Sequence, residues 1–180
     1  FAPLLRGATH MLSVLEDVLN ALPALLEDPG AWDSLIVNRR KPTTYRVFRY
    51  LNDGLRVSLH KFDPCDRREA YPHPHPWPGA FALLEGSYRM WVGFTPDRES
   101  REPVTVTETV LTAGSRYEIT EPRTWHSVTP LEECWTVMVN GLPWKESAHA
   151  AAPTTTGKDL NKMPPDELNA HLTKFRTLVR

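Results

Sequence analysis

The stretch Tyr71-Pro72-His73-Pro74-His75-Pro76-Trp77-Pro78-Gly79 sets two imidazoles one residue apart among four prolines. Proline fixes φ and removes the backbone donor, so this segment cannot be helical and cannot pair as a central strand. In an extended chain residues i and i+2 point the same way, so His73 and His75 can reach one ion. A histidine pair in a Pro-rich loop is by itself also compatible with two exposed, uncoordinated rings. A third histidine, His126, opens a later β-like segment, and with it the set becomes a candidate metal site.

The sequence on either side alternates with the period of strands. Thr44 to Leu51 is rich in β-formers, Asn52-Asp53-Gly54 is a tight hairpin turn, and Leu55 to Phe62 pairs back. Leu55, Val57 and Leu59 fall on one face; Arg56, Ser58, His60 and Phe62 fall on the other. Further strands are expected at 80–84, 87–94, 104–111, 115–120, 126–129 and 134–140, with turns every eight to twelve residues. That rhythm indicates a barrel or jelly roll. Before it, Met11, Leu12, Leu15, Val18, Leu19, Leu22 and Leu26 form the stripe of an amphipathic helix over 9–26. Thr9 or Ser13 is its candidate cap, and Pro23 is expected to kink it or to start a second short helix. From Pro165, a second helix carries Leu168, Leu172, Phe175 and Val179 on one face. The expected organisation is a helical segment (1–42), a β-barrel (43–146) and a linker with a terminal helix (147–180), all one globular domain.

Composition narrows the function classes. The chain has 180 residues, enough for a well-buried core, and a formal net charge of -1 with acids and bases interspersed. That balance argues against a nucleic-acid binder working by phosphate neutralisation. No apolar run approaches the roughly 18 residues of a membrane span. Cys65 and Cys134 are too few for a disulfide framework and favour a reducing compartment, so a cytoplasmic location is expected. A start at Phe1 leaves room for a leader removed before it.

With His73-Pro74-His75, the turns around Gly86 and Gly114, and Glu121-Pro122-Arg123-Thr124-Trp125-His126, the sequence resembles the cupin superfamily over about residues 44–144. The resemblance implies a mainly β fold, a cupin-type double-stranded β-helix with a helix packed outside at each end. It also implies a metal held by His73, His75 and His126. One departure is informative. Where a cupin places a glutamate, this chain has Gly79 or Ala80. The ligand set then resembles that of cysteine-dioxygenase-like cupins, three neutral histidines, although their cysteine and their serine–histidine–tyrosine relay have no counterpart here. Three neutral ligands leave a divalent ion its full charge, which favours an anionic co-ligand.

The first expectation is therefore a non-haem Fe(II) oxygenase acting on a small anionic molecule. A second keeps the site with Zn, Mn or Ni for isomerase, lyase or hydrolase chemistry, using Tyr88, Glu118 or Glu121 as acid or base. A third is a non-catalytic small-molecule-binding cupin. Tyr88 is the candidate catalytic residue, on condition that it rather than Arg89 and Trp91 faces inward. His60 is a rival ligand or a polar lining residue. Arg56, with Arg46 and Arg49, is a candidate for a substrate carboxylate. Trp77 and Trp125 flank the ligands and could wall a pocket, although core packing is the commoner role for such rings. A homodimer through edge strands is the expected assembly, if any.

Overall fold

The computed structural model describes residues 10–51, 54–97, 100, 102–144 and 161–180. The expected linker over 147–158 and the turn residues 52 and 53 lie outside the described residues, as does Thr9. Among the described residues, ten strands form two antiparallel sheets. The larger contains β1 (Asp33–Val37), β2 (Thr44–Tyr50), β3 (Arg56–Phe62), β5 (Gly79–Glu85), β8 (Arg116–Ile119) and β10 (Cys134–Asn140) in the order β1-β2-β3-β10-β5-β8. The smaller contains β4 (His73–Pro74), β6 (Ser87–Phe94), β7 (Val104–Thr112) and β9 (Thr124–Pro130) in the order β4-β9-β6-β7. From β3 to β10 the chain crosses between sheets at every connection but the β6–β7 hairpin. The result is a cupin-like jelly-roll sandwich; the two sheets face each other without joining into a closed barrel.

The strand alternation has an inverted sense for so much of the large sheet. Val47, Val57, Leu59, Val137, Val139, Ala80 and Ala82 point outward, where the main apolar core lies between this sheet and the two helices. Helix α1 (Met11–Leu25) buries Met11, Leu15, Val18 and Leu22 there, and α2 (Pro165–Leu178) buries His171, Leu172 and Phe175. The opposite face, bearing Arg46, Ser58, His60, Thr136 and Met138, is left to line the space between the sheets. Arg46 pairs with His60 across β2–β3, and His60 with Thr136 across β3–β10, so these three form one row.

Local details differ from expectation in three places. Helix α1 runs through Pro23 to Leu25 as a single element, because Pro23 sits in its last turn, where the missing N–H removes only a terminal bond. Its start at Met11 follows His10, which makes no side-chain cap; Glu118 accepts the Leu12 N–H at 2.9 Å instead. A carboxylate there meets the positive end of the helix dipole. Finally, Asp33–Val37 is a strand, not part of a helical segment, and Ile36 is held on its free side by a bridge to Asn161. The turn between β5 and β6 needs glycine: Gly86 has φ of 88°, and a Cβ there would press on the Glu133 carbonyl oxygen and Cys134. Among the described residues, no helix is long and apolar enough to cross a membrane.

Candidate metal centre

Strand β4 is two residues long because Pro72, Pro74 and Pro76 offer no donors for a longer ladder. Its short pairing is nevertheless the decisive one, since His73 lies directly opposite His126 of β9. The His75 and His126 Nε2 atoms are 2.8 Å apart, and the His126 and His73 Nε2 atoms 3.3 Å apart. His126 and His75 are buried, with 3% and 6% exposure, so the convergence is not a solvent-exposed accident. His73 Nδ1–H donates to the Tyr71 carbonyl oxygen at 3.1 Å, which leaves its Nε2 lone pair facing the other two rings. Burial first, then the neighbouring His73, holds the His126 imidazole well below the ordinary histidine range and keeps it neutral.

This donor set fits a divalent cation. Metal–imidazole bonds of about 2.0–2.1 Å place two nitrogens about 2.9 Å apart at right angles and about 3.4 Å apart at the tetrahedral angle. The two observed separations fall close to that range. Without a cation, two imidazole nitrogens at 2.8 Å need one shared proton between them. The site is closed to a fourth protein ligand on one side. Phe81 packs 5.5 Å from the His75 ring and 5.7 Å from the His126 ring. At Gly79, where a glutamate would begin, a Cβ would already meet Met138 Cε at 3.2 Å and the Val139 carbonyl oxygen at 3.3 Å.

The triad opens on a cavity of about 310 Å³ between the sheets, near the lower end of small-molecule sites. Tyr88, from the strand whose facing was open, points inward and is 1% exposed. Its hydroxyl donates to Tyr117 Oη at 3.2 Å. Burial, above all, pushes both phenols up from the ordinary tyrosine value, so both stay protonated at neutral pH. Tyr117 was not singled out by the sequence. Its signal was there: in Ser115-Arg116-Tyr117-Glu118-Ile119 it shares a face with Ile119, and it stacks on Phe81 at 4.6 Å.

The other candidates separate cleanly. His60 lines the cavity, but its Nε2 accepts the Arg46 Nε–H at 3.0 Å, and its Nδ1 faces Thr136 Oγ1 at 3.4 Å. Both nitrogens are engaged, so His60 has no lone pair for a metal. Arg56 is not in the cavity wall; its guanidinium lies over the Trp77 ring, 4.8 Å from the centroid, beside Asn140. Trp77 accordingly packs with Phe81, Ile119 and Met138, where it anchors the end of the histidine motif. Trp125, opposite Pro74 and Gly93 on β9, is half-buried and alternates out of the cavity wall that His126 and Val128 supply. Arg49 donates to the Leu25 carbonyl oxygen and Glu121 pairs with Arg123, so neither reaches the triad.

The sequence matches no protein-family model, and no curated protein matches it. Among solved structures the chain is similar to Fe(II)-HppE with the alternative substrate (S)-1-HPP, at 21% identity and a TM-score of 0.47 over 62% of this chain and 57% of that one. Hydroxypropylphosphonic acid epoxidase from S. wedmorenis is similar at 18% identity and 0.46, over 60% and 55%. A further FeII HppE structure gives 18% and 0.49, over 62% and 57%. The chain thus spans little more than half the length of these proteins.

His60 also makes a pH prediction. Burial, then the charges of Arg46 and Arg56, hold its imidazole well below 6.5 in the folded chain. The unfolded chain takes up the proton first, so this contribution to stability is complete above pH 6.5 and is lost as pH falls through and below it. The wild type should lose up to about 1.4 kcal/mol per pH unit more than His60→Gln. Urea denaturation of the two proteins at pH 7.5, 6.5 and 5.5 reads the difference; parallel curves would show that His60 protonates freely in the fold.

Proposed function

We propose that the chain is a non-haem oxygenase in which His73, His75 and His126 hold a divalent iron and a small anionic substrate occupies the adjoining cavity. The observation that carries this reading is the composition of the cavity wall. It joins three converging imidazoles to Arg40, Lys41 and Arg46, and no carboxylate lines it among the described residues. Iron would supply Lewis acidity and one-electron chemistry at positions the three histidines leave open. The likeness to cysteine-dioxygenase-like cupins lies in this ligand set alone.

This chain's own residues account for the rest. Arg40 and Lys41 make the wall cationic and draw an anion in. Arg40 lies 3.7 Å over the Tyr71 ring, and Tyr71 stacks on His73, so the wall and the triad are braced together. Phe62, Phe81, Val128 and Met138 give the cavity apolar walls that limit water. Tyr117 holds a phenolic proton at the cavity, and Tyr88, also in the wall, donates to its Oη and so orients it. Of the acids and bases that hydrolytic or isomerase chemistry with a non-redox ion could use, Tyr88 stays at the cavity and the two carboxylates are engaged elsewhere. Glu118 is taken by the α1 N-terminus and Glu121 by Arg123.

The test is to load metal-free protein anaerobically with Fe(II), and separately with Zn(II), and to follow oxygen consumption with a panel of small thiol, hydroxy and keto acids. Oxygen uptake with iron and an acid, and none with zinc, is expected. Turnover of an acid by the zinc form without oxygen would replace this reading by the non-redox one.

A further inference from the structure

Of the three converging rings, His73 has the loosest surroundings. His75 and His126 are buried, whereas His73 is half-buried. It stands on a strand of two residues, with Pro72 and Pro74 on either side, so the backbone ladder restrains it little. Local opening begins where contacts are fewest. For a cation held by these three imidazoles, His73 is therefore the ring through which it leaves.

Two side chains compensate. The Tyr71 ring lies parallel to the His73 imidazole, at an interplanar angle of 2° with centroids 6.3 Å apart. The Arg40 guanidinium packs on that Tyr71 ring, 3.7 Å from its centroid. The Tyr71 backbone is held as well. Its N–H donates to the Lys41 carbonyl oxygen at 3.2 Å, and its carbonyl oxygen accepts the His73 Nδ1–H at 3.1 Å. Lys41 is also bridged to Ala70. One short segment, Arg40-Lys41, thus anchors Tyr71 through its ring and its backbone together.

We propose that Arg40 and Tyr71 form a latch that restrains the His73 ring and so slows release of the ion from the triad. Both are positioning residues, since neither gives the triad a ligand atom. Charge alone would assign Arg40 the opposite effect. A guanidinium near the triad repels a dication, so its removal would slow release if charge decided the matter. Its packing on Tyr71 gives the other sign. The latch needs the metal centre proposed above, but neither its iron nor its oxygen chemistry.

The experiment loads the full chain with Co(II), whose visible absorption reports its ligands, and follows the decay of that absorption in excess EDTA. Tyr71→Ala should release the ion about fivefold faster than wild type or more, and Tyr71→Phe, which keeps the flat ring, within about twofold of it. Arg40→Gln should release it about threefold faster. In the Tyr71→Ala background, Arg40→Gln should add nothing, because its effect runs through the ring. Both side chains are exposed, so the metal-free variants should melt with the wild type. Tyr71→Leu, which keeps bulk without a flat ring, serves if the alanine variant does not fold. Release from Tyr71→Ala at the wild-type rate, or equally fast release from Tyr71→Phe and Tyr71→Ala, overturns the latch. Release from Arg40→Gln at or below the wild-type rate removes Arg40 from it. A wild type that takes up no Co(II) at the triad overturns the latch and the proposed metal centre together, whereas Co(II) held there and released alike by every variant overturns the latch alone.

Discussion

Replacing His126 by alanine should empty the metal centre while leaving the chain folded. His126 is the middle member of the triad, its Nε2 within 2.8 Å of that of His75 and 3.3 Å of that of His73. Without it the other two rings lose the partner that completes a facial set. Loss of a mere outer-shell partner costs about 10–100-fold in metal affinity, and loss of a ligand should exceed the upper end of that range. The folded state itself should suffer less. The variant removes a buried ring, but it also removes the crowding of three nitrogen lone pairs around one point. The clearest readout is linkage. A metal at about a thousand times its Kd stabilises the protein that binds it by about 4 kcal/mol. Wild-type protein titrated with Fe(II) or Zn(II) should therefore gain thermal stability, and His126→Ala should gain none. A variant that retains full metal content would remove His126 from the ligand set.

The second large effect lies far from the centre. Phe175 of α2 is fully buried and meets Trp135 edge-on, with ring centroids 5.3 Å apart. Truncating such a side chain costs about 3–5 kcal/mol, a large part of the about 5–15 kcal/mol that holds a domain together. The consequence reaches the cavity, because Trp135 and Val137 of β10 alternate with Thr136 and Met138, which line it. Phe175→Ala should lower the urea midpoint in one cooperative transition, with α2 and the sheets lost together. A separate early transition, with the sheets unaffected, would show that α2 is a detachable appendage.

Much of this arrangement could be read from the residues, and the failures have physical causes. The convergence of three histidines was legible because proline spacing put His73 and His75 on one face and because His126 opened a β-pattern. The strand positions were legible from alternation. Strand β1 was not: Asp33-Ser34-Leu35-Ile36-Val37 does not alternate, and its free edge depends on Asn161, 125 residues further on by number. Ser13 fell inside α1 and not at its cap, and a distant carboxylate, Glu118, takes the Leu12 N–H there. The role of His60 turned on register. A hairpin centred on position 53 sets 46 opposite 60, so the Arg46–His60 pair was implicit in the turn that the sequence displays. Trp77 and Arg56 were ambiguous at the sequence level because each stacks on the other, a pairing that spacing does not reveal.

The most direct test of the central claim is where a metal sits when the chain is given one. Crystals of protein loaded with Fe(II) under anaerobic conditions, with anomalous data collected on either side of the iron edge, would locate it. One strong anomalous peak, bonded to the Nε2 atoms of His73, His75 and His126 at about 2.0–2.2 Å with no protein carboxylate attached, is the result predicted. A peak elsewhere on the chain, or none at the triad at full loading, would contradict the account.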